Sequence, residues 1–354
     1  MASLDALAKV LPVLLLFGLG AVLRRGAFLQ PATIGDLRRL VLYVTLPAAL
    51  FPTFLRVTLE PQYAVIVASV FLACVAVLAA GPLVGRLVGL RSPLLPGLLA
   101  GFEGGMLGYA IYGGVFGLDE LYHFAIVDLG QVPFVFFVLA TWLTRRASGR
   151  SPTLRETATA MARTPVVLAI VAGVAGSALG LGPALEASPL GEAVLRTLGL
   201  VGAMTTPLIA IVIGYSTRLR RGALGAPLRT VGVRLTIWVV LAIAFNVVVI
   251  DGLLGLDRLF QAAVMTMAVL PPPFVIPLYL HARVRRGGAP ERDPTNGGDA
   301  DGADDPIGGV DGGSPSTGRS RITEVDQDYV VSTLSLGTVA TLVAFLLVGV
   351  VYSS

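Results

Sequence analysis

Gly101-Phe102-Glu103-Gly104-Gly105-Met106-Leu107-Gly108-Tyr109-Ala110 interrupts one apolar run of the chain, and Val269-Leu270-Pro271-Pro272-Pro273 interrupts another. A glycine inside a helix costs about 1 kcal/mol relative to alanine. Three successive prolines remove three amide donors and clash with the preceding turn. Neither run can form an unbroken helix. Unwound backbone at membrane depth is tolerated only where protein buries it or where it lines a cavity. The two breaks are therefore the places to look for a site, provided that the chain lies in a membrane.

The composition says that it does. Of 354 residues, 55% are hydrophobic and 14% are charged, against roughly 25% charged in a soluble domain; the mean hydropathy is +0.81. A soluble globular protein is excluded. The net charge of +4 comes from basic residues scattered over short loops, so it gives no basic patch for nucleic acid. Cys74 is the single cysteine, which excludes an intrachain disulfide and a multi-cysteine metal site.

Windows of about 19 residues predict ten spans: Leu4–Leu23, Leu37–Leu55, Tyr63–Val84, Pro96–Gly117, Leu121–Leu143, Pro165–Leu181, Ala193–Gly214, Leu235–Ile250, Leu259–Leu280 and Tyr329–Val351. Alternate loops then divide Lys and Arg 22 to 4. Lys9, Arg56, Arg196 and Arg258 fall on the poor side; the rich side is cytoplasmic because translocating basic residues is disfavoured. The expectation is a multi-pass protein of the cell membrane with both termini outside. Residues 144–164 read as a cytoplasmic basic linker, and residues 283–328 as a disordered acidic cytoplasmic loop. Asp299, Asp301, Asp304 and Asp305 in that loop depart from calcium-loop spacing.

The spans divide into a first repeat, residues 1–143, and a second formed by residues 165–282 with 329–354. Pro47 in the second span matches Pro207 in the seventh, and Gly108 joins them as an expected helix break. Five crossings are an odd number, so the second repeat lies inverted relative to the first, as in many secondary transporters. The fold class expected is an all-α polytopic membrane protein: ten transmembrane helices in two inverted five-helix repeats, the fourth and ninth helices broken and crossing.

Leu40-Val41-Leu42-Tyr43-Val44-Thr45-Leu46-Pro47-Ala48-Ala49-Leu50-Phe51 resembles the second-helix signature of the auxin efflux carrier family, and Thr206-Pro207-Leu208 through Gly214 is similar to its seventh-helix signature. The resemblance covers nearly the whole chain outside the acidic loop. It implies the same ten-helix inverted repeat with crossing fourth and ninth helices, and carboxylate-bearing substrates such as auxin or small dicarboxylates. The family's fourth helix carries Asn, then Gly two residues later, then Gly-x-Pro. Here Glu103 stands in the Asn place, followed by Gly105 and Gly108, with Ala110 in the Pro place. Substrate identity does not carry over.

Glu103 and Asp128 each fall about seven residues into their spans, ~10 Å deep at 1.5 Å per residue. Acids at that depth face a cavity, pair or titrate, and the span assignment puts no Lys or Arg beside them. Proton exchange is one account of them. Na⁺ bound at Asp128, Gln131 and carbonyls near Pro271 is another, and capping of the broken backbone by Glu103 is the purely structural one. With no cation in reach, an anionic substrate falls to the amides of Gly104, Gly105 and the Pro273–Phe274 step, and Pro271 and Pro272 are counted with them as substrate- or ion-binding. Asn246 reads as an interhelical hydrogen bond, His123 as an interfacial anchor, and Tyr109 and Tyr112 as pathway or packing residues.

The function expected is secondary active transport of a small organic acid by alternating access, with H⁺ or Na⁺ as coupling ion. The alternatives are transport of a neutral or cationic solute and a non-transport sensor or scaffold acting through the acidic loop. An intramembrane enzyme ranks last, since no metalloprotease or paired-aspartate motif is present. No cofactor and no metal are expected. The expected partners are a small-molecule substrate and the lipid bilayer, with a homodimer as the candidate assembly.

Overall fold

The computed structural model describes residues 2–58, 60–148, 152–217, 224–277 and 324–352. Among these residues the secondary structure is helical, with no strands. In chain order the helices are α1 (Ala2–Arg25), α2 (residues 31–56), α3 (Tyr63–Leu87), α4 (Leu95–Leu99), α5 (residues 104–116), α6 (residues 121–148), α7 (Leu154–Ala162), α8 (Pro165–Ala178), α9 (Leu181–Glu186), α10 (Pro189–Ser216), α11 (Gly225–Leu253), α12 (Arg258–Val269) and α13 (Glu324–Tyr352).

Among the described residues, five helices are long and apolar enough to cross a membrane: α3, α6 over Leu121–Arg146, α10, α11, and α13 over Asp326–Tyr352. They coincide with the expected third, fifth, seventh, eighth and tenth spans. α7 and α8 meet the same test as a pair bent by 68°. Large apolar side chains stay outside, among them Leu87 at 78%, Leu347 at 70% and Leu200 at 69% exposure. A contiguous apolar exterior is stable against lipid rather than water, which makes this an all-α membrane protein.

Three expected boundaries move. The eighth span starts ten residues earlier than expected, at Gly225, because Arg229 and Arg234 depress the local hydropathy although the helix continues through them. The tenth begins at Glu324 rather than Tyr329; Asp326 and Asp328 suit the positive end of the helix dipole. The basic linker 144–164 contains α7, opened by a capping box in which Thr153 Oγ1 accepts from Glu156 N and the Glu156 carboxylate accepts from Thr153 N. Most of the acidic loop lies outside the described residues, as does His281.

The expected proline breaks are mild. A π-helical turn at Val41–Thr45 precedes Pro47, which then occupies the first turn of the α-helical segment Leu46–Arg56. A turn at Met204 places Pro207 in the first turn of Thr205–Ser216. In both cases the proline falls in the first turn of an α-helical segment, where it is best tolerated.

Small residues set the closest crossings. α1 packs along the second half of α10, and α8 packs along α2. At the first contact Gly20 lies against Ile211 O and Gly214 against Phe17 O, both so close that a Cβ would overlap the facing carbonyl. Gly20→Ala and Gly214→Ala are each expected to lower the thermal midpoint of detergent-purified protein, with losses of about 1–3 kcal/mol as overpacking usually gives. A Cβ at Gly18 meets nothing within 4 Å, so Gly18→Ala should leave the midpoint unchanged or raise it. Equal midpoints for all three variants would contradict this crossing.

Candidate functional site

The glycine-rich break begins where α4 ends. Ala100 is extended (φ −95°, ψ 151°), Gly101 takes φ +70°, and Glu103 lies outside the helical region (φ −84°, ψ 63°). α5 then opens with a π-helical turn, Gly104–Gly108, that includes the expected break at Gly108. The positive φ fits glycine, and a Cβ at Gly101 would stand 3.1 Å from both the Phe134 ring and Pro273 Cγ. The proline-rich break follows Val269: Leu270 is extended (φ −65°, ψ 149°) and Pro271, Pro272 and Pro273 are not helical.

The two breaks meet. Glu103 N donates to Pro271 O at 3.0 Å, and Phe274 N donates to Glu103 Oε2 at 2.6 Å. The half-buried Glu103 carboxylate thus caps an amide that the proline break frees. It also claims the Phe274 N–H that the sequence assigned to substrate. Gly105 borders open space, with nothing within 4 Å of a Cβ placed on it.

Asp128 and Gln131 lie one helical turn apart on α6, both 3% exposed. Gln131 Oε1 accepts from Phe102 N at 2.7 Å, while its Nε2 donates to Phe102 O at 3.0 Å and to Asp128 Oδ1 at 2.8 Å. Tyr109 donates to Asp128 Oδ2 at 3.2 Å. A Cβ on Gly104 would collide with Asp128 Oδ1, so glycine is what lets the acid approach the break. Gln131 Oε1 and both Asp128 oxygens each already accept one hydrogen bond. No group of three or more His, Cys, Asp or Glu able to hold a metal occurs among the described residues.

The sequence placed no cation at this depth, and the structure corrects that. Arg234, counted there among the basic loop residues, is 1% exposed and reaches both breaks from α11. Its guanidinium donates to Leu98 O at 3.0 Å, Leu99 O at 2.6 Å, Gly101 O at 2.5 Å, Leu270 O at 3.2 Å and Pro271 O at 3.5 Å. Trp238, one turn on, donates to Leu99 O at 2.7 Å. These acceptors are the C-terminal ends of α4 and α12, where a helix carries unsatisfied carbonyls and a partial negative charge. Only arginine offers five donors in one plane. The Arg234-x-x-x-Trp238 spacing on an apolar helix was the available signal.

A second arginine borders a cavity of about 220 Å³ lined by Arg38, Ile213, Ser216, Thr217, Phe274, Pro277, Val331, Leu334, Ser335 and Thr338. Arg38 Nε is buried without a hydrogen-bond partner. Phe274 connects this cavity to the breaks through its bond to Glu103. The hydroxyls of Ser216, Thr217 and Thr338 donate to carbonyls one turn back, which leaves their oxygen lone pairs available as acceptors.

The remaining candidates bind locally. Asn246 Nδ2 donates to Gln261 O at 3.1 Å, joining α11 to α12 as expected, and Tyr112 donates to Leu259 O at 3.0 Å. His123 is not an interfacial anchor: it is 1% exposed, with Nδ1 3.1 Å from Glu120 O and Nε2 3.3 Å from Asp257 Oδ2. Asp257, the N-cap of α12, covers it from a part of the chain remote in sequence.

No model of a known protein family matches the chain, and no curated protein matches it. The geometry of the breaks therefore carries the functional argument. Arg234→Met, which keeps side-chain length and removes every donor, should cost several kcal/mol, since each buried carbonyl left unpaired costs about 1–3 kcal/mol. Its thermal midpoint should fall well below that of Arg38→Met, and a midpoint equal to wild type would mean that water replaces the guanidinium.

Proposed function

We propose that this protein is a secondary transporter of a small organic acid, working by alternating access. In this reading it has ten membrane crossings in two inverted five-helix repeats, and the paired breaks lie near the centre of the bilayer. The observation that carries the proposal is the meeting of two interrupted helices at Glu103, Pro271 and Phe274 beside a cavity that holds an unpartnered arginine nitrogen. Broken helices at corresponding places of two repeats are the structural basis of many ion and substrate sites.

The packing supports the repeat. α1 lies against the second half of α10 as α8 lies against α2, and the pair α3 and α6 corresponds to the pair α11 and α13. These pairs match in the way that an inverted repeat would give. The resemblance of residues 40–51 to the auxin efflux carrier family fits the same arrangement.

Arg38 supplies the positive charge that an organic anion needs in a cavity otherwise lined by apolar side chains and hydroxyl oxygens. Glu103 supplies the coupling. As a carboxylate it holds Phe274 N–H by a charge-assisted bond; protonated, it is a weaker acceptor, and the proline break is freer to move. Proton uptake at Glu103 and entry of an anion beside Arg38 would then act on one segment. A second reading, transport of a cationic solute, draws on Glu103 being half-buried with no ion pair among the described residues.

Purified protein in liposomes should take up a labelled carboxylate when a pH gradient is imposed. Glu103→Gln should abolish the response to that gradient, and Arg38→Gln should raise the KM for the anion by about 10-fold or more, the scale of one buried charge-assisted contact. Uptake by Glu103→Gln with unchanged pH dependence would remove Glu103 from the coupling. Accumulation of a labelled amine in place of every acid tested would favour the second reading.

A further inference from the structure

A larger cavity lies away from the breaks, and the transport reading leaves it unused. It has a volume of about 390 Å³ and is enclosed by the C-terminal turns of α3, the connection over residues 89–93, the start of α4 and the end of α6. Arg86, Arg91 and Arg146 line it, and its lining contains no Asp or Glu. None of the three arginines has an ion pair among the described residues. All three belong to the basic side of the loop count.

Close packing builds its floor. Gly81 abuts Pro96, where a Cβ would stand 2.6 Å from the proline ring, and Gly85 abuts Leu90 O and Leu95. Any larger side chain at either glycine would fill the space between α3 and α4. Arg146 is fixed on two sides: it donates to Pro93 O at 2.9 Å and lies 4.4 Å over the Trp142 ring. Arg86 and Arg91 are exposed and converge from α3 and the following connection. Ser92 Oγ accepts from Leu94 N at 3.3 Å, so its own proton remains to be donated.

α3 also carries a lipid-facing surface. Leu83 and Leu87, on the last turns of α3, are 58% and 78% exposed. A ligand in the cavity therefore meets three guanidinium groups beside a helix that also carries exposed leucines. Arginine is the side chain best matched to the oxygens of a phosphate. A basic pocket between helices on the cytoplasmic side is a favourable seat for an anionic headgroup, since the neighbouring helix surface carries the acyl chains. A free phosphate would use only the first of these features.

We infer that the cavity formed by Arg86, Arg91, Ser92 and Arg146 binds the phosphate of an anionic phospholipid. This site does not depend on what the protein transports. It is tested with the full chain in a neutral detergent, by thermal unfolding in the presence of phosphatidylglycerol, phosphatidylcholine or inorganic phosphate. Phosphatidylglycerol should raise the midpoint above the value in phosphatidylcholine, and added salt should shrink the difference. R86Q/R91Q should weaken apparent phosphatidylglycerol affinity by an order of magnitude or more, about 5-fold for each arginine near an anionic surface. R229Q, at an exposed arginine outside the cavity, should bind as wild type does. If R86Q/R91Q retains the lipid difference, the site is wrong. If inorganic phosphate gives the full stabilisation, the lipid assignment is wrong. Should the double variant fail to fold, R91Q alone decides: a reduced difference supports the site, and an unchanged one overturns it.

Discussion

Every N–H and C=O buried away from water has to find a partner, and in a bilayer no water supplies one. This constraint organises the centre of the protein. Glycine at 101 and proline at 271–273 break two helices, which frees amides and carbonyls in the region least able to leave them unpaired. The freed groups are met by four side chains from three different places. Glu103 takes Phe274 N–H; Gln131 takes both polar groups of Phe102; Trp238 and Arg234 take the carbonyls that end α4 and α12. The breaks are thus a polar network bonded on all sides, and its members are far apart in sequence.

Arg234 is the most demanding part of that network. A buried guanidinium without a carboxylate partner is unfavourable unless its donors are satisfied and the surrounding dipoles stabilise the charge. Both conditions hold. Five carbonyl oxygens face it, the Phe102 ring lies 5.0 Å from it, and the two helix ends that it caps point their negative poles at it. The same contacts tie α4 to α12 through α11. On the proposed reading Arg234 holds the break regions together whichever face of the protein is open, while Glu103, bonded to Phe274 N, is the joint that proton binding can loosen.

How much of this was legible follows from which interactions are local. The apolar runs, the two breaks and the basic loops are properties of contiguous residues, and hydropathy with proline and glycine chemistry is enough to find them. Glu103 and Asp128 stood out because charge is scarce in apolar runs, and the structure puts both beside the breaks. Arg234 was missed because the same window logic that finds spans assigns an arginine to the loop, although its partners, 133 to 136 residues away at Leu98, Leu99 and Gly101, make it part of the core. His123 was misread for a related reason: Asp257, which covers it, is 134 residues distant. Arg38 was counted only for topology, and nothing near it in sequence indicates that it borders a cavity built from α10, α13 and Phe274.

The difficulty that the sequence left open was an acid at the presumed site of an anion with no base to balance it. The structure divides the two charges between two neighbouring places. Glu103 is bonded to the backbone of the proline break, and Arg38 borders the cavity on the other side of Phe274. On the proposed reading they need not be neutralised by one another. An anion beside Arg38 and a carboxylate at Glu103 repel across Phe274, so occupancy of the cavity favours the protonated acid, and protonation of the acid favours occupancy. That reciprocity is a thermodynamic requirement of any two sites whose charges interact. It supplies a coupling between proton and anion that needs no further moving part than the short segment from Pro271 to Phe274.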